Sequence, residues 1–142
     1  MPYLNSEQLE HFNSKGYLII NGFWESSTVD QLEERMGYIL QSFDYDSVNT
    51  IFTTDEQCRK TDDYFLESGN KIRFFWEEKA WDENGKLVSK PSECINKVGH
   101  ALHDLDERFA KVSYDPRIYE LCRELGLEVS CLRYLIFVGN ER

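Results

Sequence analysis

KIRFFWEEKAWDENGKLVSKPSECINKVGHALH, residues 71–103, is the stretch that decides the fold. It opens with Ile72 to Trp76, a run of β-branched and aromatic residues that predicts a strand. An Asn84-Gly85 pair separates this run from a second short β-type run, Lys86 to Val88. Two β-type runs joined through Asn-Gly predict a hairpin.

The second half of the stretch is predicted to be an amphipathic helix. Pro91 and Ser92 suit its first turn. The apolar positions expected on one face are Ile95, Val98 and Leu102. Because His100 and His103 are three residues apart, the same helix would place both imidazoles on one face.

The N-terminal part is predicted to be a helix, a strand and a second helix. Asn5 or Ser6 can cap the first helix, and Gly16 can end it. Tyr17 to Ile20 is a compact β-type run and predicts a strand. One of the serines at 26–27 opens the second helix. Its predicted apolar stripe is Val29, Leu32, Met36, Leu40 and Phe43.

The remaining segments flank the deciding stretch. Residues 44–69 are polar and predict a long surface connection with a short ordered piece near Tyr64. Helices are predicted from Leu105 to Val112 and from Pro116 to Leu125. The final run, Val129 to Val138, is β-like, and no later segment could pair with it. This pattern predicts an incomplete sheet in an α+β fold.

Composition restricts the class of protein and of partner. The 142 residues predict a single domain covering residues 1–142, and the net charge is −10. Such a charge disfavours nucleic acid and anionic membranes as partners. No basic-then-apolar leader opens the chain, and no apolar run reaches the length of a membrane span, so a cytoplasmic location is expected. The scattered cysteines Cys58, Cys94, Cys122 and Cys131 are expected to be reduced.

Three side-chain groups could carry chemistry. His100 and His103, with Asp104 or Asp106, could hold a metal, although packing or surface histidines are the favoured interpretation. Cys94 and His100 could be a nucleophile and its base, but no orienting partner accompanies them. A third group could line a ligand pocket, although core packing is favoured for large aromatics. Its members are Phe74, Phe75, Trp76 and Trp81.

The chain resembles the N-terminal half of the phytanoyl-CoA dioxygenase family over about residues 6–128. The segments that carry the resemblance are FNSKGYLIINGFW (12–24), DYFLESGNKIRFFWE (63–77), DENGKLV (82–88), INKVGHALH (95–103) and ELCRELGLE (120–128). The resemblance implies an Fe(II)- and 2-oxoglutarate-dependent dioxygenase on a double-stranded β-helix, or jelly-roll. It also implies iron ligation by a His-x-Asp pair with a distal His, and an Arg that binds the cosubstrate.

The chain departs from that family pattern at the positions that would bind iron and the cosubstrate. The residues two past each histidine are Asn13, Leu102 and Leu105, so no His-x-Asp is present. The position at which the family places a cosubstrate-contacting lysine falls on Glu93, with Lys90 and Lys97 nearby. No catalytic, cofactor-binding or metal residue is therefore assigned, and no cofactor is expected for this chain alone.

Two functional hypotheses follow. In one, the chain is the N-terminal helix and strand portion of a jelly-roll oxygenase, truncated and inactive alone. In the other, it is a non-catalytic isoform that acts as a binding or regulatory module. With the sheet incomplete, the face of Ile95, Val98 and Leu102 would be exposed and would favour self-association. The substrate is not specified by the sequence.

Overall fold

The computed structural model of the chain describes residues 3–48, 50–51, 63–127 and 137–138, the last pair by backbone alone. The helices are Ser6–Lys15 (α1), Ser26–Gln41 (α2), Asp63–Leu66 (α3), Leu102–Leu105 (α4), Glu107–Ser113 (α5) and Pro116–Glu124 (α6). The strands are Ile72–Trp76 (β1), Ile95–His100 (β2) and Phe137–Val138 (β3), with 3-10 turns at Tyr45–Ser47 and Pro91–Glu93.

Helix α1 begins and ends where its local signals predict. The Asn5 side chain accepts a hydrogen bond from the Gln8 backbone at 2.9 Å, and the Gln8 side chain accepts one from the Asn5 backbone at 2.9 Å. This reciprocal pair is a capping box, which satisfies two backbone donors that the first turn leaves without a helical partner. Gly16 ends the helix at φ 79°, a left-handed conformation that glycine adopts without strain.

Helix α2 presents most of its predicted apolar stripe to the core. Met36 is buried, and Leu32, Leu40 and Phe43 pack against the core cluster. Val29, at the first turn, is exposed instead. The structure adds one residue to the stripe, Ile39, which is three positions after Met36 and is also buried.

The sheet is antiparallel, with strand order β1-β2-β3. Strand β1 pairs with β2 from Ile72 opposite His100 to Trp76 opposite Ile95. Strand β3 pairs with the middle of β2, and Val98 lies opposite Phe137. Residues 137–138 of the predicted final strand thus pair with the earlier strand β2, while residues 129–136 lie outside the described part.

The predicted helix over residues 95–102 is wrong, because residues 95–100 form strand β2. The spacing of Ile95, Val98 and Leu102 fits a helix face, but β2 is covered on both faces and five of its six residues are buried. Because burial does not alternate along a strand that is covered on both faces, the spacing of these three apolar residues does not distinguish such a strand from a buried helix. Pairing with β1 and β3 decided the outcome.

Burial of those residues also overturns the exposed apolar face that the sequence predicts. Ile95, Val98 and Leu102 all belong to the core cluster and do not form a surface. Self-association remains a prediction, but it would have to use other side chains.

Two further strand predictions concern residues 17–20 and the hairpin near Asn84-Gly85. Residues 17–20 are not a strand, and among the described residues no backbone hydrogen bond joins them to another segment. A strand needs such a partner to form. Near Asn84-Gly85 the predicted hairpin is reduced to a single antiparallel bridge between Trp81 and Leu87. Strand β1 pairs with β2 instead of with residues 86–88.

One face of the sheet packs on α2 and forms the core. Phe74 of β1 stacks on Phe43 with ring centroids 3.7 Å apart. Trp76 is buried, and its indole donates a hydrogen bond to the Val48 carbonyl at 2.7 Å. The predicted core role of Phe74 and Trp76 is confirmed, and the chain after α2 is tied to β1 by these contacts.

The short helical segments after the sheet agree with prediction. The predicted helix from Leu105 to Val112 is present as the end of α4 and most of α5, separated at Asp106. The helix from Pro116 is present as α6, with Pro116 in its first turn. Residues 63–66 form the ordered piece expected near Tyr64. Among the described helices, none has the length and apolar character that crossing a membrane requires.

Candidate functional site

The opposite face of the sheet carries polar groups that are almost fully buried. Phe75 projects from β1 to this face, and Lys97 and His100 reach it from β2. The Lys97 side chain is only 6% exposed, although it ends in an ammonium group. Long cationic side chains are seldom buried to this extent unless another group requires the charge.

Lys97 and His100 contact the same two aromatic rings. The Lys97 ammonium lies 5.5 Å from the Phe65 ring centroid and 5.4 Å from that of Phe75. The His100 ring centroid lies 5.7 Å from Phe65 and 5.8 Å from Phe75. The cation and the imidazole therefore share the same aromatic walls, and cation–π attraction offsets part of the cost of burying the charge.

Ser68 anchors the imidazole from the far side. Its hydroxyl oxygen is 2.7 Å from His100 Nδ1 and 2.5 Å from the Phe65 carbonyl oxygen. Ser68 lies just after α3, whereas His100 ends β2, so the contact joins positions 32 residues apart. The packing of α3 against the sheet is thus what builds this group, which we call the Lys97–His100 site: Phe65, Ser68, Phe75, Lys97 and His100.

The electrostatics of the Lys97–His100 site disfavour the charged form of the imidazole. Burial lowers the pKa of His100 below its ordinary value, and the positive charge of Lys97 lowers it further. The hydrogen bond with Ser68 acts in the opposite direction and raises that pKa. The site therefore places the Lys97 cation beside an imidazole whose charged form is disfavoured, and this combination suits an anionic group better than a second cation.

The residues weighed as a metal site are not brought together. His103 lies on α4 and not on a helix shared with His100; its Nε2 is 3.4 Å from Asp104 Oδ2, and its buried Nδ1 has no hydrogen-bond partner among the described residues. Asp106 is committed to an ion pair with Arg35 at 2.6 Å. Within the described ranges, no three His, Cys, Asp or Glu side chains form a group that could hold a metal ion.

The Cys94 and His100 hypothesis is not supported by the strand geometry. Cys94 immediately precedes β2, and His100 is its last residue. At ~3.3 Å per residue, the two lie roughly 20 Å apart along an extended chain. Cys94 is a buried free thiol that packs in the core cluster, and Cys122 is also free. Cys58 and Cys131 lie outside the described residues.

Of the predicted aromatic cluster, one ring lies at the candidate site. Phe74 and Trp76 pack in the core, and Trp81 packs on Trp76 with centroids 5.0 Å apart. Phe75 alone faces Lys97 and His100. The sequence placed Lys97 only near the position of the family's cosubstrate lysine and gave no indication of Ser68, although one further signal was available for the lysine. Lys97 is the only Lys, Arg, Asp or Glu residue in the nine-residue run CINKVGHAL, where burial could be expected.

A second cleft of about 170 Å³ lies between α2, α5 and α6. It is lined by three cationic side chains, but Arg117 is paired with Asp115 at 2.9 Å and Arg108 with Glu34 at 3.1 Å. Arg117 also lies over the Trp24 ring at 4.5 Å. The Arg108–Glu34 pair joins α5 to α2, and the Arg117–Asp115 pair lies at the start of α6, so two of the three cations are already paired and the cleft is a weaker candidate.

Comparison with known proteins gives one family. The family model described as Phytanoyl-CoA dioxygenase (PhyH) matches residues 12–134. The chain is 41% identical over 139 residues to a Phytanoyl-CoA dioxygenase domain-containing protein 1 homolog of Dictyostelium discoideum, covering 98% of this chain and 49% of the relative.

Two other relatives show the same partial coverage. A Phytanoyl-CoA dioxygenase of Arabidopsis thaliana is 44% identical over 123 residues, which are 87% of this chain and 43% of that protein. Phytanoyl-CoA dioxygenase domain-containing protein 1 of Rattus norvegicus is 37% identical over 146 aligned positions, covering 99% of this chain and 50% of the relative. The chain thus spans about half the length of the curated relatives it matches.

Proposed function

Because the chain belongs to the phytanoyl-CoA dioxygenase (PhyH) family, we propose that it forms the N-terminal part of an Fe(II)- and 2-oxoglutarate-dependent dioxygenase. The family has a cupin or jelly-roll oxygenase fold, and the described residues of this chain contribute helices and a three-stranded antiparallel sheet. The part of the reaction proposed for these residues is binding of the anionic cosubstrate at the Lys97–His100 site.

The observation that supports the proposal is the buried ammonium group of Lys97. A carboxylate of 2-oxoglutarate is a fitting ligand, since a charge-assisted hydrogen bond to an ammonium in a poorly solvated site is strong. The aromatic rings of Phe65 and Phe75 exclude water from the ammonium, which strengthens that attraction. His100, whose charged form is disfavoured, adds a hydrogen-bonding group beside the ammonium.

Unlike the cosubstrate, iron has no suitable set of ligands among the described residues. In the family, iron and 2-oxoglutarate together supply the oxidising chemistry. The described residues contain no three-ligand group, and the whole sequence contains no His-x-Asp pair. We therefore assign no residue of this chain to iron and no step to it, and we propose that this chain alone does not catalyse oxidation.

Binding of 2-oxoglutarate tests the cosubstrate site directly. Isothermal titration would compare the chain with Lys97→Met and with Lys79→Met, a matched removal of an exposed lysine. Loss of the buried cation should weaken binding at least about ten-fold, which corresponds to ~1.4 kcal/mol. Lys79→Met should bind as the parent chain does. Equal affinity of Lys97→Met and the parent would refute the assignment.

The second candidate function is a non-catalytic binding or regulatory module. One observation favours it: the sequence has no His-x-Asp pair. Immunoblotting of the source cells with an antibody to residues 71–103 separates the two. A band at roughly twice the mass of this chain, as the 49% coverage predicts, supports the oxygenase portion. A band only at 16.8 kDa supports the short module.

A further inference from the structure

Residues 17–20 have the sequence of a strand and a backbone without a strand partner. Tyr17 is followed by three aliphatic residues, two of which are β-branched isoleucines. Among the described residues, no backbone hydrogen bond joins this run to another segment. Gly16 at φ 79° and Gly22 at φ 66° lie on either side of it. The run is therefore separated by turns from both neighbouring helices, and its residue types favour a strand.

Exposure alternates along the run, as it does in a strand that has one packed face. Leu18 and Ile20 are half-buried, whereas Tyr17 is 55% exposed and Ile19 is 72% exposed. Successive side chains of a strand point to opposite faces, so this pattern puts Tyr17 and Ile19 together on an outer face. One face of the run thus packs on this chain, while the outer face and the backbone groups are open to a partner.

A groove of about 430 Å³ lies between this run and helix α1. The run contributes Tyr17, Leu18 and Ile19 to its lining, and α1 contributes Gln8 and His11 among others. The rings of His11 and Tyr17 meet edge to face with centroids 5.1 Å apart, so the helix and the run are in direct contact. Such a groove suits an added strand, because the backbone of the run supplies hydrogen bonds and the groove accepts alternate side chains.

We propose that residues 17–20 form a strand in the longer protein, paired with a strand from the half that the relatives have and this chain lacks. The proposal rests on the part of the proposed function that makes this chain the N-terminal portion of such a protein. The Dictyostelium discoideum relative matches 98% of this chain, which covers only 49% of that relative. A jelly-roll has about eight strands, and the described sheet has three, so the remaining half has further strands to supply.

The size of the contact favours this partner over a second copy of the chain. A pair of strands over residues 17–20 is about 13 Å long. Its buried area is well below the roughly 1,000 Å² that a specific complex of separate molecules needs. Within one chain the effective concentration of the partner can reach the order of 1 mM, so a short strand pair is sufficient. A second copy would occupy the run only weakly and at high concentration.

Hydrogen exchange of the backbone amides tests the pairing in this chain and in the Dictyostelium discoideum relative. In this chain, residues 17–20 should exchange about as fast as an unfolded peptide. In the relative, the aligned run should exchange at least about a hundred-fold more slowly at every concentration, because a strand hydrogen bond must open before exchange occurs. Residues 72–76, which are paired in β1, provide the control and should be protected in both proteins.

Three outcomes would overturn the proposal without reliance on any variant. The first is an unprotected run in the relative. The second is protection of residues 17–20 in this chain at low concentration, because the run would then already have a partner. The third is protection that appears in this chain only as its concentration rises and is absent from the relative, which would assign the run to a second copy.

These outcomes are separate from those of the 2-oxoglutarate titration. Protection of the run in the relative alone, together with equal affinity of Lys97→Met and the parent chain, would support the strand pairing and refute the cosubstrate site. Lys97-dependent binding together with an unprotected run in the relative would support the cosubstrate site and refute the strand pairing.

Discussion

At the residue scale, Asp106 is a buried carboxylate whose two oxygens are both hydrogen-bonded. Oδ2 pairs with Arg35 at 2.6 Å, and Oδ1 accepts from the backbone of Arg108 at 3.1 Å and of Phe109 at 3.3 Å. We expect Asp106→Ala to lower the free energy of unfolding by about 2 kcal/mol, because the α5 cap and the ion pair are both lost. Urea denaturation provides the measurement.

The matched variant is Asp106→Asn, which keeps an oxygen at the cap and removes the negative charge. It should lose about half as much stability as Asp106→Ala. Equal losses in the two variants would show that the cap contributes nothing, contrary to this interpretation.

His100 also makes stability depend on pH. Its pKa is lowered on folding, so the folded chain binds fewer protons than the unfolded chain below the unfolded value of ~6.5. Stability from this residue is present above that pH and decreases as the pH falls through the lowered folded pKa. Thermal unfolding between pH 7.5 and pH 5.5 should show a larger loss for the parent chain than for His100→Asn. Parallel curves would contradict this.

At the element scale, the short helix α4 has one buried and one exposed leucine. Leu102 is 0% exposed and packs in the core, whereas Leu105, three residues later, is 58% exposed. Leu102→Ala should lower the free energy of unfolding by about 2–5 kcal/mol through lost burial and a cavity. Leu105→Ala, the matched control on the same helix, should change it by less than about 0.5 kcal/mol. Similar losses of unfolding free energy in both variants would contradict the burial of Leu102 and the exposure of Leu105.

At the scale of the whole molecule, the chain is expected to bind a cosubstrate without turning it over. Incubated with Fe(II), 2-oxoglutarate and oxygen, it should form no succinate above the protein-free control. The Rattus norvegicus relative, about twice as long, is the comparison protein in the same assay. Succinate formation by this chain that depends on protein concentration would contradict the assignment of the iron ligands elsewhere.

Self-association is the other prediction at this scale. Large apolar side chains are exposed outside the core, and among the described residues Ile19, at 72% exposure, is the most accessible of them. The weight-average mass in sedimentation equilibrium should rise with concentration, and Ile19→Lys should reduce that rise. A monomer that unfolds cooperatively at every concentration would refute self-association.

Local signals were enough to predict helices α1, α2 and α6. The Asn5 cap with Gly16, the apolar stripe of α2 and the proline at the start of α6 each act within a few residues, so the sequence determines them by itself. The residue types of Ile72–Trp76 likewise predict the strand that these residues form. These elements are found where the patterns predict them because their stabilising contacts are near in sequence.

Tertiary structure alone decided the partners of the strands and the contents of the candidate site. Residues 95–100 became a strand because β1 and β3 supply hydrogen bonds from distant parts of the chain, and residues 17–20 did not because no described segment does so. Lys97 is buried beside His100 only because α3 brings Phe65 and Ser68 to the sheet from 32 residues away. Hydrogen bonds and burial between distant segments outweigh local preference, and such contacts leave no periodic trace in the sequence.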